Sequence, residues 1–139
     1  MKAPSAVIVD ANVVIAGLLR AGDCRHVLLF GSTRFFAPVF LFEEIQDHLP
    51  TIIRRSGMPS NLVRALLADI RARIEEVPRA SLLVHWDRAI RAAQGTDPDD
   101  ASYVAAALAT GLPIWTLDKR ISKVKGIRTV GTGDLVGSA

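Results

Sequence analysis

Ala6-Val7-Ile8-Val9-Asp10 is a short apolar run that ends in a carboxylate. Its apolar residues are continuous rather than alternating, which predicts a strand covered on both faces, as in a parallel sheet. Pro113 to Leu117 repeats the pattern, again running into an aspartate, Asp118. Arg34 to Ala37 and Ile127 to Val130 read as two further short strands. The segments between them carry helical signals. Asn12 to Arg20 reads as a helix closed by Gly22, and Cys24 to Phe30 as another ending at Gly31. Pro38 is placed to open a helix in its first turn, with Leu41, Ile45 and Leu49 on one face. Ser60 to Glu76 reads as one amphipathic helix, with Leu62, Leu66, Ile70 and Ile74 along a stripe and arginines opposite. Leu82 to Gln94 is a further predicted helix, stopped before Gly95. Asp97-Pro98 starts the last, which runs through Thr110 to a stop at Gly111. Strands alternating with helices predict an α/β sandwich around a mainly parallel sheet.

With 139 residues, no internal repeat and no long linker, the chain is expected to form a single domain over 1–139. Mean hydropathy is +0.28. No stretch approaches the roughly 18 unbroken apolar residues of a membrane span. The nearest candidate, Ala6 to Leu19, carries Asp10 and Asn12 in its middle and reads as neither a span nor a signal peptide. One cysteine, Cys24, excludes an internal disulfide framework and suits a reducing, cytoplasmic setting. His26, His48 and His85 are scattered without zinc-ligand spacing, so a metal here is expected on oxygen ligands. The net charge is +3, and thirteen of the seventeen basic residues are arginine, a mild pointer toward phosphate-bearing partners.

In a parallel α/β sheet, ligands bind beyond the carboxyl ends of the strands, where the following helices begin. Asp10 and Asp118 each follow a strand; Asp97, Asp99 and Asp100 lie in the first turn of a helix; Glu43 and Glu44 lie early in the helix after the second strand. Acids from four segments are therefore expected at one edge of the sheet. Carboxylates that close cannot all ionise at neutral pH without a compensating cation. An oxygen-only set favours Mg²⁺ or Mn²⁺, and such an ion suits phosphodiester hydrolysis. Helix phase separates the two glutamates: Glu44 shares the inward face with Leu41, Ile45 and His48, and Glu43 the outer side with Phe40 and Asp47. The aspartates near 97 stay open, because Asp97 as N-cap and Asp100 at N3 also make a capping arrangement, with Asp99 in the same turn.

Three motifs then match a known family. VIVDANVVIAGLL (7–19), Phe42-Glu43-Glu44-Ile45 and DPDDASYVAAALATGLPIWTLDKR (97–120) resemble, in order and spacing, the conserved elements of PIN domains. The Pro-Ile-Trp-Thr run suggests the toxin-type, VapC-like subgroup. The resemblance spans essentially the whole chain. It implies a three-layer α/β/α sandwich and an acidic set of Asp10, Glu44, Asp100 and Asp118, with Asn12 and Thr116 as polar supports and Asp97 and Asp99 as secondary candidates. It also implies Mg²⁺- or Mn²⁺-dependent cleavage of single-stranded RNA. A small antitoxin protein as partner and a homodimer are implied as well, with no membrane.

Lys119, Arg120 and Lys123, followed by Lys125 and Arg128, are placed to hold the phosphates of a bound strand, although such a cluster also serves as a solvated loop. Trp86 is a candidate for base stacking, whereas Trp115 is expected in the core. Arg64, Arg71 and Arg73 read as a solvated helix face, His48 as a helix-surface residue, and Gly131-Thr132-Gly133 as a turn. Three other functions compete. An α/β phosphoryl-transfer hydrolase would use Asp10 as nucleophile, but Asn12 stands where such enzymes place a second aspartate. A receiver module needs a phospho-accepting aspartate on a middle strand and a late lysine, a pattern not found. A catalytically silent PIN fold acting as an RNA or protein adaptor would not need an intact four-acid set.

Overall fold

The computed structural model describes residues 3–137. Its centre is a five-stranded, fully parallel sheet in the order β3-β2-β1-β4-β5, formed by β1 (Ala6–Val9), β2 (Arg34–Pro38), β3 (Ile74–Val77), β4 (Ile114–Trp115) and β5 (Thr129–Val130). Val7, Ile8 and Val9 are fully buried, as the unbroken apolar run requires of a central strand. The helices are α1 (Ala11–Leu19), α2 (Asp23–Phe30), α3 (Phe40–Ser56), α4 (Ser60–Arg71), α5 (Arg79–Val84), α6 (Trp86–Ala92), α7 (Asp100–Thr110) and α8 (Thr132–Val136). The first group packs together, α1 on α2, α3 and α4, with α8 on α2. In the second group α5 and α6 pack on α7, which lies across β1, β2 and β4. The result is the expected three-layer α/β/α sandwich. No helix among the described residues is long and apolar enough to cross a membrane.

The strand order follows from connection handedness. The chain steps from β1 to β2 to β3 in one direction, then crosses back over the sheet to β4 and on to β5. Right-handed crossovers put the helices of the forward steps on one face and those of the return on the other. The direction reverses between β1 and β4, so a crevice opens there beyond the strand ends. Alanines at 101, 105, 106 and 107 keep α7 slim enough to lie against the sheet, and its far end stops at Gly111, whose φ of 73° an L side chain rarely adopts.

Several boundaries differ from the sequence reading. Ile74-Glu75-Glu76-Val77 is not the end of a long helix but the edge strand β3, paired in register with Phe35 to Pro38. Its two glutamates favour helix locally, and only pairing with β2 makes a strand of them. Shortening that helix moves its buried stripe to Val63, Leu67 and Ile70, and leaves Leu62 exposed. Pro38 closes β2 instead of opening α3. The predicted 82–94 helix is two helices, broken at His85, which leaves helical geometry at φ −109° and ψ 10°. Gly131-Thr132-Gly133 belongs to the start of α8, where the Asp134 carboxylate accepts from the Gly131 N–H. Arg73 does not face solvent on a helix. Its guanidinium donates to the carbonyls of Val27, Leu28 and Gly31 at the end of α2 and sits 5.2 Å from the Phe35 ring.

Candidate active site

The parallel register of β1 and β4 pairs Ile8 with Ile114 and Val9 with Trp115. One residue further on, the two chains leave the sheet side by side, so Asp10 meets Thr116 at the reversal point. The Asp10 N–H donates to the Trp115 carbonyl at 3.1 Å, and the Thr116 hydroxyl donates to Asp10 Oδ2 at 2.6 Å. The same hydroxyl oxygen accepts from the Asp118 N–H at 2.9 Å, while Asn12 Oδ1 accepts from the Leu117 N–H at 3.2 Å. Asp10 is only 4% exposed and Thr116 8%. Asn12 and Thr116 thus clip the two strand ends together, the Asn12 amide oxygen accepting from the backbone of the segment after β4.

Two more acids approach from the flanking helices. Glu44 is half-buried on α3 and accepts from the Tyr103 hydroxyl at 3.1 Å, whereas Glu43 is exposed. Phase had grouped His48 with the inward residues, but it is exposed. Asp100 is buried at the start of α7, where its Oδ2 accepts from the Asp97 N–H at 3.1 Å. Asp97 Oδ1 accepts from the Asp99 N–H at 3.0 Å and so closes the turn before α7, whose N-cap is Asp99 rather than the expected Asp97. Tyr103, one helical turn beyond Asp100 and 1% exposed, escaped the sequence reading. The available signal was a lone tyrosine in an alanine-rich helix, at i+3 from the candidate acid.

The electrostatics show that these acids share one environment. Burial raises Asp10 to about 6, with the Asp100 charge adding to the shift and the Thr116 hydrogen bond opposing it. Burial raises Glu44 to about 7; the Tyr103 hydroxyl opposes this, and Asp10, Asp99 and Asp100 add to it. Asp100 is raised as well, first by burial and then by Asp118. Burial and the neighbouring Glu44 and Asp10 charges push the Tyr103 phenol up, so it stays a hydrogen-bond donor. Asp118 goes the other way. Its carboxylate accepts from the Arg120 side chain at 2.9–3.3 Å and from the Arg120 N–H at 2.9 Å, which holds it below the ordinary range.

Donor chemistry suits a hard divalent cation. Every candidate is a carboxylate, and three of them are held above their ordinary range by burial and mutual repulsion, which a cation would relieve. Among the described residues, however, no three acidic, histidine or cysteine side chains are gathered as a group that could hold a metal ion. Each acid is engaged with a protein donor: Asp10 with Thr116, Glu44 with Tyr103, Asp100 with the Asp97 backbone, Asp118 with Arg120. Closing a cage around a cation would mean rotating Asp118 off Arg120. Lys119 and Lys123 are exposed after Asp118, Lys123 ending a 3-10 turn over Ile121–Lys123, while Arg128 is engaged with the Gly111 carbonyl. Trp115 is fully buried, its indole N–H donating to the Thr132 hydroxyl at 3.0 Å.

A model of the PIN domain family matches residues 8–135, from within β1 to the last helix. The chain belongs to the PIN-domain family. None of the curated protein sequences matches it. Among solved structures, this PIN domain is similar to a chain of VapBC2 from Rickettsia felis bound to a DNA fragment from its promoter. That similarity has a TM-score of 0.70 and 10% identity over 91% of this chain and 98% of that one. It is also similar to a chain of a toxin–antitoxin complex from Klebsiella pneumoniae, with a TM-score of 0.61 and 14% identity over 88% and 96% of the two chains. At such identities the likeness establishes the fold, which this PIN domain shares along nearly its whole length.

Proposed function

We propose that this PIN domain is a metal-dependent endoribonuclease that hydrolyses phosphodiester bonds of single-stranded RNA, with residues 1–139 working as one domain. The observation that carries the reading is the buried Asp10 carboxylate at the β1/β4 reversal, electrostatically coupled to Glu44 and Asp100. A carboxylate so placed costs stability unless a cation or proton compensates it, and structural need alone gives no reason for three of them together.

Asp10, Glu44, Asp100 and Asp118 would hold Mg²⁺ or Mn²⁺. When bound, the ion supplies water activation and neutralises charge that develops on the phosphate. The chain's own residues do the rest. Thr116 and Asn12 hold the ends of β1 and β4 in register, so that Asp10 and Asp118 keep a fixed separation. Tyr103 orients Glu44 by donating to one of its oxygens and leaves the other free. Lys119, Arg120 and Lys123 lie on the exposed side of the site, where they attract the RNA backbone with a salt-dependent affinity. Asp97 acts on the turn before α7, accepting from the Asp99 N–H, while the Asp99 carboxylate faces the neighbourhood of Glu44. The likeness to chains of toxin–antitoxin complexes supports a small antitoxin protein as partner; a homodimer and action in the cytoplasm are part of the same proposal and rest on the family resemblance of the sequence.

The test is cleavage of single-stranded RNA with Mn²⁺, compared with EDTA and with Asp10→Asn and Asp118→Asn. Cleavage should vanish with EDTA and fall by at least about a thousandfold in each variant. Activity that survives both substitutions sinks the assignment.

A further inference from the structure

A cleft beside the acids bears on base selection, an inference that rests on that reading. It has a volume of about 360 Å³ and is bordered by Glu44, Pro98 and Ser102. One wall is aromatic: Phe40 at the start of α3 and Trp86 at the start of α6, both half-buried, with ring centroids 6.3 Å apart and planes tilted by 53°. Opposite charges are divided between inside and outside. Glu43, Asp47 and Asp99 line the cleft and no basic residue does, whereas the Arg79 guanidinium lies 5.2 Å from the Phe40 ring centroid.

A phosphate is repelled from such an interior, and an aliphatic side chain gains nothing from its carboxylates. A nucleobase satisfies all three parts: a π-face for the aromatic wall, N–H donors for the acids, and a phosphate outside for Arg79. Glu43 and Asp47 stand one helical turn apart, exposed and without an ion-pair partner among the described residues. A carboxylate accepts two parallel N–H donors. Among the four bases only guanine presents two adjacent donors, N1–H and N2–H, on its Watson–Crick edge; adenine, cytosine and uracil each present a single donor there, flanked only by acceptors. We propose that this cleft is a guanine subsite for the nucleotide next to the scissile phosphate. An arginine side chain from a protein also offers paired donors, and the same carboxylates would attract it; the place of the cleft beside the acids of the RNA-cleaving reading favours the base, and arginine is the competing outcome of the test.

The full-length, metal-free protein in EDTA is titrated with the 5′-monophosphates of guanosine, adenosine, cytidine and uridine, and separately with N-acetyl-arginine amide. The readout is the indole N–H resonance of each tryptophan. Guanosine monophosphate should bind at least about fivefold more tightly than uridine monophosphate and shift Trp86, leaving the buried Trp115 unmoved. Glu43→Gln with Asp47→Asn, both on the exposed face of α3, should abolish that preference while keeping the fold. Equal binding of all four nucleotides, an unmoved Trp86, a preference that survives the double substitution, or tighter binding of the arginine amide each overturns the proposal. No cleavage is needed here, so its failure leaves the nuclease reading standing, and an inactive protein that still prefers guanine removes the nuclease reading alone.

Discussion

Thr116 donates its hydroxyl to Asp10 at 2.6 Å across 106 positions of sequence, and the same oxygen receives the N–H of Asp118. One side chain thereby ties the first strand's acid to the fourth strand's acid, inside a site too buried for water to replace it. Thr116→Val keeps the shape and removes both functions. The folded state should lose about 1–2 kcal/mol in urea unfolding, and RNA cleavage should drop at least about tenfold. Thr116→Ser should restore most of both; a fully active valine variant would show that the clip is dispensable.

Asp10 and Glu44 make the metal-free protein pH-sensitive. Their folded values, about 6 and about 7, lie above the ordinary carboxylate range, so the folded state holds more protons than the unfolded chain between them. The stability linked to these protons is fully present below the ordinary carboxylate range and is lost as pH rises toward 7. In EDTA, thermal stability should therefore fall from pH 5 to pH 7.5, and Mn²⁺ should restore it more strongly at the upper end. A flat profile in EDTA would remove the electrostatic basis for the site.

Asp10→Asn replaces a buried charge with a neutral group of the same shape. Its metal-free form should unfold at equal or higher temperature than the unsubstituted protein at pH 7.5, while the stabilisation by Mn²⁺ disappears. Loss of stability without loss of the Mn²⁺ response would instead mark Asp10 as a purely structural acid.

Arg120 occupies Asp118 with its guanidinium and backbone N–H. A cation must compete with that pair. Arg120→Ala should tighten Mn²⁺ binding several-fold by calorimetry, and should reduce the salt dependence of RNA affinity by about one counterion. Unchanged metal affinity would mean that Asp118 does not exchange partners.

Arg73 lies far from the acids yet closes the end of α2. Arg73→Ala leaves carbonyls of Val27, Leu28 and Gly31 without that donor and should cost about 2 kcal/mol in urea unfolding. Cleavage per folded molecule should stay the same, which separates this residue from the site.

Local chemistry explains what could be read before any coordinates. Ala6 to Asp10 announced a buried strand because its apolar residues do not alternate, and the helix before Gly111 was bounded by residues whose backbone preferences act on their own neighbours. That Glu44 is half-buried while Glu43 is exposed needed only the 3.6-residue period, and the bond from the Asp97 N–H to Asp100 only their spacing. Edge strand β3 was hidden because Ile-Glu-Glu-Val has no strand preference apart from β2. Tyr103 was hidden because its partner, Glu44, is 59 residues away.

By itself, then, the sequence determined the α/β class, the places of Asp10 just after β1 and Asp100 at the start of α7, and the oxygen-only donor set of the candidate site. These follow from interactions within a few residues. Tertiary structure alone decided that β4 lies beside β1, which brings Thr116 onto Asp10. It also decided that Phe40 and Trp86 share a wall. Each of these depends on which distant segments become neighbours, and that is set by strand order and crossover handedness, which no local pattern encodes.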